Sequence, residues 1–175
     1  MGAQLRVYRR RIKSVQATKK ITKAMELIAS SRIVKAQQRV EASLPYTLEL
    51  LRAISAAVSH GNSKHPLIST PEVRKRAAVV FITADRGLAG AYSSAVIKET
   101  ESLNTLLREE GVEPIHFIVG RKGLGFYKFR ERPIAGSWTG FTDQPTYENA
   151  SEIAQTVLEY FKKSPEEGGV DEIHL

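Results

Sequence analysis

The chain of 175 residues contains no cysteine and a single tryptophan. The absence of cysteine excludes disulfides, a thiol nucleophile and thiolate metal sites, and it is compatible with a reducing cytoplasm. No segment approaches the roughly 18 consecutive apolar residues that a membrane-spanning helix needs. The four histidines are scattered and form no HxxxH or HExxH spacing, so a metal site is not expected.

Glycine and proline are missing from Ala3 to Leu44, and acidic residues are nearly missing there too. Residues 1–40 contain 11 Lys or Arg and one acid, Glu26, whereas residues 41–175 contain 15 basic and 18 acidic residues. This stretch predicts one long cationic helix with an anionic partner, which could be nucleic acid, anionic lipid or an acidic protein surface. An Arg-rich, acid-poor start also resembles a transit peptide, but the helical pattern continues past residue 40.

Apolar or small side chains recur in steps of three and four along this helix. At about 1.5 Å per residue such a helix spans roughly 60 Å, which is wider than a compact domain of this size, so it is expected to protrude and to pair with another helix. The thin stripe suits a coiled coil with irregular heptads. The alternative is an amphipathic helix that lies on its own domain. The stripe consists of Leu5, Tyr8, Ile12, Val15, Thr18, Thr22, Met25, Ala29, Ile33, Ala36 and Val40.

The helical pattern resumes after Pro45, so a kink is expected there and the helix is predicted to span residues 1–60. Residues 61–76 are predicted to be a linker, with a loop from Gly61 to Pro66. Residues 77–175 are predicted to form an α/β domain that is incomplete at its C-terminal end.

Within that domain, the apolar segments AAVVFITA and PIHFIVG predict buried strands, and VDEIHL predicts the start of a third. Residues 92–109 and 147–163 predict helices, residues 121–130 a short basic helix or loop, and residues 138–145 an irregular segment. Alternating strands and helices indicate a Rossmann-like parallel α/β domain.

The segment TADRGLAG follows the first strand, at the edge where open α/β sheets bind ligands. Asp85 could be an acid or base there, and the next helix could hold an anion. The GxxG spacing matches neither a dinucleotide fingerprint nor a Walker A loop, so a tight turn with exposed charges is favoured. GRKGLG at 120–125 is interpreted as a turn with a helix cap, and His116 as a packed core residue. No cofactor and no small-molecule ligand are expected.

The basic helix could enter a DNA groove, as basic zipper regions do. However, no leucine heptad follows it, and Tyr8 alone makes no stacking platform for single strands. An α/β ligand-binding domain with a basic nucleic-acid-binding arm therefore remains the alternative interpretation.

Residues 20–37, KITKAMELIASSRIVKAQ, resemble the γ subunit of F-type ATP synthases. The resemblance continues at ASLPYTLEL around Pro45, at GNSKHPL (61–67) and at TADRGLAGAYSS (83–94), in order through the whole chain. By this resemblance the chain is bacterial in type, and the family's C-terminal helix would lie beyond Leu175.

The resemblance implies a central-stalk rotor subunit without catalytic residues. Its first helix would form a coiled-coil shaft inside a hexamer of α and β subunits. The α/β domain would contact the ε subunit and the membrane ring of c subunits. Proton flow would turn the ring and the shaft and so drive the β subunits through their binding states.

The location implied is the cytoplasmic face of a bacterial membrane, with the protein bound peripherally, in preference to the mitochondrial matrix side. No nucleic-acid partner is then expected. The residues assigned to the partner interface are Arg9, Arg10, Arg11, Lys19, Lys20, Lys23, Met25, Asp85 and Arg86.

Overall fold

The computed structural model describes residues 2–60 and 73–175. The predicted loop at 61–66, the motif GNSKHPL and most of the predicted linker lie outside the described residues. Contacts within the chain divide it into two compact units, Met1–Ser69 and Thr70–Leu175. Each unit has its own architecture.

The first unit is built on helix α1, which spans Gly2–His60 and has 59 residues. At 1.5 Å per residue it is about 90 Å long. Pro45 lies inside the helix without ending it, although its ring removes one backbone hydrogen bond. The long helix is therefore confirmed, and its pairing with a second helix in a coiled coil stays a prediction.

The second unit is a four-stranded, fully parallel sheet in the order β3-β2-β1-β4. Strand β1 spans Arg76–Ile82, β2 Glu113–Val119, β3 Gly136–Trp138 and β4 Glu172–His174. Helix α2 spans Tyr92–Glu109, α3 Arg121–Phe129 and α4 Tyr147–Lys162. The predicted Rossmann-like parallel α/β architecture is confirmed.

The sheet is buried on both faces because alternate residues of β1 enter two different cores. Val79 and Phe81 pack with Leu107 of α2 and Tyr127 of α3 on one side. On the other side, Ala78 and Val80 pack with Phe117 and with Val157 of α4. A strand that is buried on both faces has a continuous apolar sequence, which is why β1 and β2 could be recognised.

Two glycines let α3 approach the end of β1. Gly120 has φ +97°, and a Cβ there would lie 2.1 Å from the carbonyl oxygen of Thr83. A Cβ on Gly123 would lie 2.8 Å from the ring of Phe81. The interpretation of GRKGLG as a turn with a helix cap is right for the cap, since Gly120 is the N-cap of α3, but residues 121–125 already belong to the helix.

One strand of the sheet was not predicted. The expectation of an irregular segment holds for residues 139–145. It is wrong at Trp138, because Gly136–Trp138 forms β3, which pairs with Phe117–Val119 of β2. As a result VDEIHL contributes the fourth strand and not the third. Strand β3 has only three residues, and its Gly-Ser-Trp sequence has neither an apolar run nor a β-branched residue.

Candidate partner interface

The cationic side chains of α1 are exposed along its first half. Within residues 2–60 and 73–175, none of the five predicted interface residues Arg9, Arg10, Arg11, Lys19 and Lys20 forms an ion pair. Lys23 differs, because its Nζ lies 3.0 Å from a carboxylate oxygen of Glu26. The excess positive charge of the helix is thus available to an anionic partner, with Lys23 partly neutralised.

The threonines of the apolar stripe satisfy their hydroxyl groups within the helix. Thr18 Oγ1 donates to the carbonyl of Ser14 at 3.1 Å, and Thr22 Oγ1 donates to the carbonyl of Thr18 at 3.0 Å. Burying a hydroxyl is costly only when it is left without a partner. Both positions could therefore be covered by a second helix without leaving a polar group unsatisfied.

Met25 lies between these threonines and Ala29 on the stripe, and 44% of it is exposed. The side chain is flexible and polarisable, so it can fill an uneven surface. The assignment of Met25 to a partner interface stays a prediction.

Asp85 connects three loops at the carboxyl edge of the sheet. Its Oδ1 accepts the backbone N–H of Arg121 at 3.1 Å. Its Oδ2 accepts the backbone N–H groups of Gly140 at 2.7 Å and Thr142 at 3.0 Å, and the Thr142 hydroxyl at 2.9 Å. The same hydroxyl accepts the backbone N–H of Asp85 at 2.9 Å. These bonds hold the loops after β1, β2 and β3 together.

Only 5% of the Asp85 side chain is exposed. Burial alone would raise the pKa of this carboxyl, but the hydrogen bonds from Thr142, Gly140 and Arg121 outweigh it and hold the pKa below its usual value. The prediction of a turn with exposed charges is thus wrong for Asp85. Its carboxylate is a structural acceptor whose oxygens are already engaged, and its assignment to a partner interface stays a prediction.

Arg86 points outward, and 74% of its side chain is exposed, while its Nε lies 3.1 Å from a carboxylate oxygen of Asp143. The turn continues through Leu88, which has φ +63° and is almost fully exposed. The prediction of an exposed charge is therefore right for Arg86. The hydrogen bonds of the neighbouring Asp85 hold this turn in place, and they thereby determine the position of Arg86 and Leu88 on the surface.

A chain of polar side chains that the sequence did not reveal joins β2 to α2 and α3; it is buried at His116, Asn104 and Tyr127 and ends at two half-buried charged residues. His116 Nε2 lies 3.0 Å from Asn104 Oδ1, and Asn104 Nδ2 donates to Tyr127 Oη at 3.1 Å. Tyr127 Oη donates to Glu101 at 3.1 Å, and Arg132 forms an ion pair with that carboxylate. Burial lowers the pKa of His116 to about 4. The prediction that His116 is a packed core residue is confirmed, but its bond to Asn104 and the bonds that continue from there had no signal in the sequence.

Among the described residues there is no helix with the length and apolar character needed to cross a membrane. In the same part of the chain, no group of three or more His, Asp or Glu side chains is arranged to hold a metal ion. An exposed helix with a large excess of positive charge is typical of a class of protein that binds anionic macromolecular surfaces.

Comparison with known proteins identifies the family within that class. A family model described as ATP synthase matches residues 4–175. The gamma chain of the ATP synthase of Acidothermus cellulolyticus is 55% identical over 175 residues, which cover 100% of this chain and 58% of the relative. The corresponding gamma chains of Thermobifida fusca and Streptomyces avermitilis are 57% and 55% identical, with 100% of this chain and 57% of each relative covered.

The chain therefore belongs to the ATP synthase gamma-chain family of bacterial F-type enzymes. It spans just under three fifths of the length of these relatives. The alternative of a ligand-binding domain with a nucleic-acid-binding arm receives no support from the comparisons.

Proposed function

We propose that this chain is part of the central-stalk rotor subunit of an F-type ATP synthase. In this function it couples proton-driven rotation of the membrane ring to conformational changes at the catalytic β subunits. The subunit itself contributes no catalytic residue. The observation that carries the proposal is α1, an exposed helix of 59 residues in which basic residues far outnumber acids over the first 40.

The exposed charges suit a surface that moves past its partners. An ion pair between exposed side chains contributes about 0–1 kcal/mol, so contacts of this kind can form and break during rotation. A buried, fully desolvated pair would cost several kcal/mol to break at each step. Family membership supports the same interpretation, since the relatives are gamma chains of ATP synthases.

The proposed partners are the α and β subunits of the catalytic hexamer, the ε subunit and the c-ring. The cationic part of α1 would face acidic loops of the β subunits. Arg86 would contact these loops in some rotor positions, from the loop that Asp85 holds. The proposed location is the cytoplasmic face of a bacterial membrane, with the protein bound peripherally.

The proposal is tested by reconstituting the full-length protein with its α and β subunits. Replacing Arg9, Arg10 and Arg11 with glutamine should weaken association by about tenfold, because three exposed contacts of a few tenths of a kcal/mol each are lost. The loss should be larger at low salt, where charges are screened least. Helix content, measured by circular dichroism, should remain nearly unchanged.

Arg52→Gln is the matched control, because Arg52 is also exposed on α1 but forms an ion pair with Glu49. This variant should associate within about twofold of the unmodified protein. An affinity for the α and β subunits that changes neither with the triple substitution nor with the salt concentration would contradict the proposed role of the cationic helix.

A further inference from the structure

One exposed face of helix α3 combines basic residues with a glycine and a phenylalanine, and the packing of the domain does not require this combination. Residues 121, 122, 125, 128 and 129 lie within an arc of about 120° at 100° per residue. All five are exposed, whereas Gly123 and Tyr127 on the opposite side are buried. We call this surface the α3 outer face; it consists of Arg121, Lys122, Gly125, Lys128 and Phe129.

Phe129 is the one large apolar side chain of the α3 outer face, and 88% of it is exposed. The neighbouring aromatic residues of α3 are packed: Tyr127 is buried in the core, and Phe126 lies beneath the guanidinium of Arg130, 3.9 Å from its ring centroid. A phenyl ring left in water gains nothing for folding. In a protein interface, a ring of this kind is a common anchor residue.

The positive charge of the domain is concentrated around the same helix. Residues 121–132 contain five basic residues and one acid, whereas the rest of 73–175 contains eight basic and fourteen acidic residues. Among the described side chains, Lys122 and Lys128 have no ion-pair partner. Charge complementarity therefore favours an acidic surface opposite the α3 outer face.

The two glycines inside α3 favour a protein partner over a lipid surface. Gly123 is required by the fold, because a Cβ there would meet the ring of Phe81. A Cβ on Gly125 would meet no described atom within 4 Å, although glycine destabilises a helix relative to alanine. The gap at Gly125 allows a close approach from outside, which a packed protein surface uses and a lipid surface does not need.

We propose that the α3 outer face binds an acidic protein segment that has an apolar pocket for Phe129. The lysines form the rim of this contact, and the missing side chain at Gly125 lets the partner backbone come close. This surface belongs to the α/β domain and not to α1. It requires a partner protein but does not depend on the rotor function proposed above.

The test places a photoreactive benzoylphenylalanine at position 129 of the full-length protein in its native cells. We expect a cross-link to one protein, and mass spectrometry should map it to a segment rich in Asp and Glu. The matched control carries the same group at Tyr147, which is 81% exposed but lies beside Glu148. It should not label that segment.

Two variants connect the cross-link to the proposed contacts. Lys122→Glu with Lys128→Glu should lower the yield by about tenfold, since two favourable exposed contacts become repulsive. Gly125→Gln should lower it by at least as much while raising the melting temperature by a few degrees, because glutamine is the better helix former. A merely structural glycine would not give these opposite effects.

Labelling of lipid only, of the chain itself only, or of nothing would overturn the proposal. A yield that is insensitive to both variants would overturn it as well. A charge-dependent cross-link to an acidic segment of any protein, inside or outside the ATP synthase, would support this inference. The rotor function is tested separately by the reconstitution experiment above, so the two can fail separately.

Discussion

At the scale of single residues, Asp85 occupies a position typical of ligand-binding or catalytic residues, but here it stabilises the fold. It follows the first strand of a parallel sheet, where many α/β proteins bind ligands. Its two oxygens instead accept three backbone N–H groups and the Thr142 hydroxyl. From a nearly buried position, the carboxylate thereby adds to the backbone hydrogen bonds between these segments, such as the one from Lys122 N–H to the carbonyl of Ala84 at 3.1 Å.

Asp85→Asn should lower the free energy of unfolding at pH 7 by about 2–4 kcal/mol. The amide supplies one acceptor oxygen, and its NH2 group must face at least one N–H donor that loses its partner. Urea unfolding of the 175-residue chain measures the difference. Asp143→Asn is the control, because its partner Arg86 is largely exposed, and it should change stability by no more than about 1 kcal/mol.

The pH dependence gives a second test of Asp85. The pKa of Asp85 is lowered by folding, so its contribution is present above the unfolded pKa, about 3.9, and is lost as the pH falls through the folded pKa. The stability difference between the unmodified chain and Asp85→Asn should therefore narrow below about pH 4. A constant difference down to pH 2 would show that the carboxylate charge is not what stabilises the loops.

At the scale of elements, the sequence predicted the helices and strands that are marked by a long apolar run or by a repeated spacing of apolar residues. The apolar runs of β1 and β2 and the spacing of α1, α2 and α4 each identified the correct element. Strand β3 escaped because three residues without an apolar pattern become a strand only through pairing with Phe117–Val119. The environment of Asp85 escaped for a related reason, since Gly140 and Thr142 are more than fifty residues away and bind through their backbone.

The polar chain that begins at His116 stabilises the packing of whole elements, because it links β2 with α2 and α3. Folding lowers the pKa of His116 to about 4, mainly through burial. Between about pH 6.5 and 4 the unfolded chain binds a proton that the folded chain excludes, so stability should fall as the pH falls through this window.

His116→Gln should flatten the loss of stability between pH 6.5 and 4, because glutamine does not titrate. Chemical unfolding of both chains at half-unit pH steps measures the slope. An equal slope in both would mean that the imidazole does not remain neutral in the folded state.

Two substitutions of Thr22 test whether a second helix covers the apolar stripe of α1. Thr22→Val should leave assembly of the full-length protein nearly unchanged, because the Thr22 hydroxyl bonds only within its own helix. Thr22→Asp has nearly the same size but places a charge on the stripe, and it should weaken assembly strongly if a second helix covers this position. Equal behaviour of the two variants in a reconstitution assay would show that the stripe stays in water.

At the scale of the whole molecule, the distribution of charge is more informative than the net charge of +7. Basic residues are concentrated in the first 40 positions and around α3, whereas acids prevail in the remainder of the domain. Fold stability does not require such a separation, because exposed pairs contribute little. It suits a protein whose different regions meet different partners, as the proposed stalk subunit would.

Met25 provides the most direct test of mechanical coupling under the proposed rotor function. Met25→Lys would place a cation on the half-exposed stripe, within reach of acidic loops of the β subunits. A partly desolvated ion pair is costly to break, and it would have to break at every rotary step. We expect the enzyme to assemble and hydrolyse ATP, but to convert less of that hydrolysis into proton pumping.

The matched control is Leu27→Lys, which at 100° per residue adds the same charge on nearly the opposite side of the helix. ATPase rates and proton pumping are compared in membrane vesicles, and equal losses of both activities, or losses shared by the control, would mean that Met25 only packs within the helix pair.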